Sequence, residues 1–225
     1  MTIHKEKDYT ISNDEDDDNI FYIRFASRSE QLITSFAKSL VGVTVFADYK
    51  TVCFRASSVK TYTQFRDDLR VENGVRRMNY ATTLSMVTDL TMQLSRLLAQ
   101  NKCFYVFDPD NLIVIDGNKF IYASNEHLLD FAPRRGTILF MKPFIKLLRF
   151  SSPEVSRIVI LPSEINHKAI YFSLGMLALY GLYDEQHEEE DEVHEKMKSI
   201  KGTKLYWLVK RCLDEDPNKR SILFI

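Results

Sequence analysis

The chain has 225 residues, 45% hydrophobic and 27% charged, with a formal net charge of -1. That length carries one fair-sized domain or two small ones with a real core, and the charge excludes a nucleic-acid binder that works through net positive potential. Seven glycines, fewer than half the ordinary share of about 7%, leave no G-x-G-x-x-G or G-x-x-x-x-G-K-[ST] loop to cradle a phosphate.

Residues 1–19 are polar and close on the acidic run Asp14 to Asp18. They predict a disordered tail and contain no apolar leader. Ile20-Phe21-Tyr22-Ile23-Arg24-Phe25 predicts a short strand. Leu32, Ile33, Phe36 and Leu40 then fall on one helical face, with Ser29 placed to cap it. Residues 41–46 and 51–56 are β-branched and aromatic and flank Ala47-Asp48-Tyr49-Lys50, a hairpin pattern. A short amphipathic helix follows over 59–69.

The clearest helix spans 80–100, where Leu84, Val87, Leu90, Leu94, Leu97 and Leu98 recur at three- and four-residue steps. Two apolar strands, 104–107 and 112–115, lead into the tight turn Asp116-Gly117-Asn118 and a returning strand at 119–123. Pro133, Pro143, Pro153 and Pro162 make 131–165 read as loop with one short helix. Residues 169–183 are uncharged. They fall short of the roughly 20 needed to cross a bilayer, so a buried core helix is expected. Asp184 to Glu195 reads as a solvated acidic linker, including His187 and His194, and a last helix runs over 203–213 with Leu205, Leu208, Val209 and Cys212 on one face.

Cys53, Cys103 and Cys212 are far apart and odd in number. They read as free thiols in a reducing compartment, which places the protein in the cytoplasm. The five histidines show no metal-ligand spacing, so no metal is expected. Arg76-Arg77 and Arg134-Arg135 are basic doublets.

Four segments, in order, resemble the large lobe of a eukaryotic-type protein kinase over residues 80–225. Asp108-Pro109-Asp110-Asn111-Leu112-Ile113-Val114 resembles the K-P-E-N-I-L-V end of the catalytic loop. Ser152-Pro153-Glu154 resembles the A-P-E that closes the activation segment. Phe172-Ser173-Leu174-Gly175 resembles the S-L-G of the central buried helix, and Arg211-Cys212-Leu213-Asp214-Glu215-Asp216-Pro217-Asn218-Lys219-Arg220 resembles R-C-L-x-x-D-P-x-x-R. The resemblance implies an α+β, protein kinase-like fold: a mostly helical large lobe at 71–225, a truncated β-containing small lobe at 20–70, and the tail at 1–19. It also implies a buried ion pair between Glu154 and Arg220, of the bidentate kind a guanidinium fork favours. Arg134-Arg135 becomes a candidate for docking an acidic partner.

The same alignment empties the catalytic positions. The H-R-D positions fall on Phe104-Tyr105-Val106, so the base is Val106, which accepts no proton. Thirteen residues on from Asn111, the D-F-G aspartate is Ser124, a poor Mg²⁺ ligand. Asn111 alone is retained. No strand lysine is assignable: Lys38, Lys50 and Lys60, like Glu30, read as surface residues. The resemblance therefore implies a pseudokinase, without cofactor or bound ATP, that acts as a scaffold or as a modulator or decoy of a kinase. Its compact form is also similar to kinase-like proteins of large DNA viruses, which would put it in the host cytoplasm or the virion. Two other readings stay open. One is an atypical active Ser/Thr kinase holding Mg²⁺ through Asp108, Asp110, Asp116 and Asn111. The other is an assembly protein using only the fold's surface. The cleft between residues 43–56 and Asn111 is expected to be filled or distorted.

Overall fold

The computed structural model describes residues 2–74, 76–145, 148–183 and 190–222. The architecture is α+β, with seven helices and three antiparallel sheets among the described residues.

The front third is a five-stranded sheet, order β1-β2-β3-β5-β4, built from β1 (Thr2–Lys5), β2 (Tyr9–Asn13), β3 (Ile20–Phe25), β4 (Thr44–Val45) and β5 (Thr51–Arg55). Alternate residues turn inward, among them Tyr9, Ile11, Phe21, Ile23, Phe25, Val52 and Phe54, which is the period-2 rule of a half-buried strand. Against that face packs α1 (Glu30–Ala37) through Leu32, Ile33 and Phe36, its N-terminus capped by the Ser29 hydroxyl. The Phe36 ring meets Phe25 edge-on at 5.9 Å and Phe54 at 6.0 Å.

The strands β1 and β2 replace the disordered tail expected for residues 1–19. The acidic run is the β2–β3 turn, and its carboxylates are engaged locally. Asp14 accepts from the Asp16 N–H and the Tyr22 hydroxyl, Asp17 from the Asn19 N–H, and Arg55 pairs with Asp17 at 2.7 Å. Short polar residues closing turns on their own backbone, rather than a solvated charge cluster, hold this stretch. The front third therefore begins with ordered strands.

The chain crosses to the second part earlier than the 70/71 boundary. The strand β6 (Val59–Thr61) pairs with β8 (Leu112–Ile115), which pairs with β9 (Lys119–Tyr122). Asp116 pins the crossing by accepting from the N–H groups of Ser57 and Ser58 at 2.7 and 2.9 Å. The β8–β9 loop is the three residues Asp116-Gly117-Asn118, and Asp116 and Gly117 both have positive φ, 51° and 69°, which lets the chain reverse tightly. The helix α2 (Tyr62–Asn73) begins at a capping box of Thr61 and Gln64, so the predicted 59–69 helix starts three residues later and runs longer.

The helix α3 (Tyr80–Leu98) lies on β9. Asp89 pairs with Lys119 at 2.5 Å, and the buried Gln93 side chain bonds both the N–H and the C=O of Tyr122 at 2.9 Å. A third sheet, order β12-β11-β10-β7, joins β7 (Lys102–Phe104), β10 (Leu128–Ala132), β11 (Thr137–Phe140) and β12 (Ser163–Asn166). This corrects the loop reading of 131–165 and adds strands to the part expected to be mostly helical. Three of the prolines punctuate elements instead of forbidding them: Pro133 opens the β10–β11 turn, Pro153 is the first residue of α4 (Pro153–Ser156), and Pro162 immediately precedes β12.

The helix α5 (Ala169–Tyr183) is buried on nearly every side, as its uncharged sequence predicts. No helix among the described residues is long and apolar enough to cross a membrane. Part of the predicted acidic linker is the helix α6 (Glu190–Ser199). Residues 184–189, with His187, lie outside the described residues. The helix α7 (Lys204–Cys212) buries Leu205, Leu208, Val209 and Cys212, the face the spacing predicts.

Candidate functional site

Three of the four motif segments meet, and the residue just before the other is bonded to one of them. Glu154, in the first turn of α4, accepts two hydrogen bonds from Arg220, at 3.0 and 2.8 Å. Arg220 is 0% exposed. Its Nε donates to the Asp214 carbonyl at 2.7 Å, and its guanidinium lies over the Phe172 ring at 5.2 Å. Burial pushes the Glu154 carboxyl up, but its bonds from Arg220 and Ser152 outweigh this and hold it below the ordinary glutamate value. One residue along from Phe172, the Ser173 hydroxyl accepts from the Phe107 N–H at 2.7 Å and so ties α5 to the loop before β8. Gly175 faces α7: a Cβ there would sit 2.9 Å from the Cys212 Cβ and 3.0 Å from Leu213. Only a glycine allows the two helices that close.

The loop itself is short and self-capped. Pro109–Asn111 forms one 3₁₀ turn, and the Asp108 side chain accepts from the Asp110 N–H at 3.2 Å. Tyr122 accepts from the Asp108 N–H at 3.0 Å and bonds His127 Nδ1 at 2.5 Å. Burial lowers His127 to about 4, so its ring is neutral at pH 7.

The residues aligned with catalytic positions are closed off. Val106 is fully buried among hydrocarbon. Ser124 is 0% exposed, and its hydroxyl donates to Asp8, in the turn between β1 and β2. That turn, Glu6-Lys7-Asp8, contains no glycine. It sits against the second part of the molecule at three points: Asp8 on Ser124, Lys7 on Glu126 at 2.8 Å, and the Tyr9 hydroxyl donating to the Asp110 carbonyl at 3.5 Å. Burial raises the Asp8 carboxyl above the ordinary aspartate value, against the Ser124 bond. Sequence reasoning missed Asp8 and Lys7, because a charged turn carries no signal of what it will touch across the molecule.

Asn111 is half-buried, and its main chain bonds Asp108 and Ala123. Asp108 and Asp110 share its turn, whereas Asp116 closes the far end of β8. Among the described residues no group of three or more His, Cys, Asp or Glu is placed to hold a metal. Lys60 pairs with Asp68 at 2.6 Å, Lys38 ends α1, Lys50 closes the hairpin turn and Glu30 is exposed. In the basic doublets, Arg135 pairs with Glu164 at 2.7 Å and Arg76 with Asp67 at 2.5 Å, while Arg134 is exposed. No protein-family model matches the chain, and no curated protein matches it either.

Proposed function

We propose that the chain is a kinase-like protein without phosphoryl-transfer chemistry, a pseudokinase that works by binding other proteins as a scaffold for, or modulator of, a kinase. One observation carries the reading. Ser124, aligned with the metal-binding aspartate, is sealed beneath the β1–β2 turn and bonded to Asp8. Phosphoryl transfer needs a base, a metal-held phosphate and open access to both. Here the base position is the buried hydrocarbon of Val106. The kinase-like part of the reading is supported by three motif segments that make contact through Glu154–Arg220, Arg220–Phe172 and Gly175–Cys212, and by the Ser173–Phe107 bond, which reaches the residue just before the fourth. The front sheet has five strands, so the reading rests on Ser124 and Val106 and not on missing strands.

Thermal denaturation with ATP and Mg²⁺, then with the metal removed, tests this. No metal-dependent stabilisation and no transfer of labelled phosphate are expected. A metal-dependent shift, or labelling abolished by Asn111→Ala, overturns the reading in favour of an active kinase. Affinity capture from the native source then identifies the role. A kinase or its substrate supports signalling interference, whereas coat or secretion components point to an assembly surface.

A further inference from the structure

A narrow notch of about 30 Å³ lies where the start of α2, the Pro109-Asp110 turn, the segment before α4 and the end of α5 come together. Three guanidiniums line it, those of Arg66, Arg76 and Arg149. Tyr180 holds two of them. Arg66 lies 4.1 Å from its ring centroid and Arg149 5.1 Å, and Arg149 also donates to its hydroxyl at 2.9 Å. Arg66 lies over the Tyr62 ring as well, at 5.5 Å, and its Nε donates to the Arg76 carbonyl at 3.1 Å. Arg66 is 3% exposed, so these contacts hold it in one place.

Two residues of the lining carry a buried donor with no hydrogen-bond partner among the described residues: the Tyr62 hydroxyl and Arg76 Nε. Tyr62 is 1% exposed, and burial keeps its hydroxyl protonated, above the ordinary phenol value. Arg76 pairs with Asp67 through a terminal nitrogen, and that pair does not use Nε. Buried donors normally find acceptors, so an acceptor is missing here.

Size and charge say which kind. About 30 Å³ holds two oxygen-sized atoms at roughly 15 Å³ apiece. Asp67 and Asp110 also line the notch, so three cations meet two anions, an excess of one. Two oxygens sharing one negative charge are a carboxylate. A phosphate dianion would bring a third oxygen and a second charge toward Asp110. So small a space grips only the head of a ligand, so the bearer is a chain lying outside it along the surface.

We infer that this notch takes the carboxylate of an aspartate or glutamate side chain from an acidic segment of a partner protein. The inference rests on the protein-binding reading above and names the chemistry of one contact. The two fail separately: a metal-dependent response to ATP overturns the pseudokinase reading, and a peptide titration decides the notch.

The probe is a capped tetraglutamate peptide titrated into the intact chain by calorimetry, with capped tetraglutamine as control. Saturable binding of the glutamate peptide is expected, with the glutamine peptide at least about tenfold weaker because it lacks the charge. Tyr62→Phe keeps the ring and removes the unpartnered hydroxyl. It should weaken Kd about fivefold and leave the unliganded Tm unchanged or higher. Arg149→Gln changes an exposed side chain and should weaken Kd about tenfold, whereas Arg134→Gln, an exposed arginine outside the lining, should leave it unchanged. The proposal is overturned by absence of saturable binding, by equal binding of the glutamine peptide, by an affinity unchanged in either notch variant, or by an equal loss in Arg134→Gln. It is also overturned if inorganic phosphate displaces the peptide at lower concentration than acetate does, which would make the notch a phosphoryl site. A Tyr62→Phe chain that loses stability yet binds the peptide as before would show that ordered water, not a ligand, fills the notch, and would overturn it too.

Discussion

Glu154 and Asp8 are both carboxylates drawn out of water, and they meet different partners. Glu154 takes two bonds from a fully buried guanidinium. Asp8 takes one from a neutral hydroxyl, with Lys7 turned outward to Glu126. A charged, forked partner more than offsets the desolvation, so the Glu154 carboxyl is held low. A single neutral donor does not, so burial raises Asp8. The joint between Glu154 and Arg220 is therefore built on full compensation. The clasp that closes the front turn over Ser124 is left under-compensated.

The largest effect should come from breaking the first. Arg220→Met strands the Glu154 carboxylate and should cost about 3–5 kcal/mol in chemical denaturation. With Glu154→Gln the double mutant should show a coupling well above that of independent sites. Additive, small effects would mean that the pair holds nothing. At the neighbouring contact, Gly175→Ala pushes a Cβ to 2.9 Å from the Cys212 Cβ. It should cost about 1–3 kcal/mol, as overpacking does.

At the clasp, Ser124→Ala leaves the Asp8 carboxylate without its donor. A loss of about 1–3 kcal/mol is expected, with faster hydrogen exchange over residues 6–9. The two carboxylates should also answer pH with opposite signs. Glu154 titrates lower when folded, so its contribution is full above 4.5 and is lost as pH falls through its folded value. Asp8 titrates higher when folded, so its contribution is full below 3.8 and is lost as pH rises through its folded value. Asp8→Asn should thus gain on the wild type as pH climbs from 3.8, and Glu154→Gln should lose on it as pH climbs toward 4.5. Curves of the same sign would erase the distinction. The smallest effect is Lys7→Ala. Its exposed pair with Glu126 should change the denaturation midpoint least of all, and that change should fade with salt.

The Glu154–Arg220 joint was legible because its residues lie in short motifs with characteristic neighbours. The helices α1, α3, α5 and α7 were legible from apolar spacing, and α1 also from its Ser29 cap. The front two strands were not. Tyr9 and Ile11 do alternate with Thr10 and Ser12, but the charge of Asp14 to Asp18 outweighed a pattern only five residues long. The bonds that tame those carboxylates are geometric and leave no trace in composition. The sheet of β7 and β10–β12 was hidden by prolines that end elements rather than interrupt them. Ser124 was found by counting from Asn111, whereas its partner Asp8 lies 116 residues away, with no motif to join them.

The margins of the front sheet have a consequence for how the protein meets others. One margin is β1, whose register slips between Thr2 and His4, and the other is β4, two residues long. An irregular margin and a stunted one are poor templates for a foreign strand. The front sheet is therefore guarded against stacking into ribbons with copies of itself. Any recruit at that end must be recognised by its side chains and not by continuing the ladder.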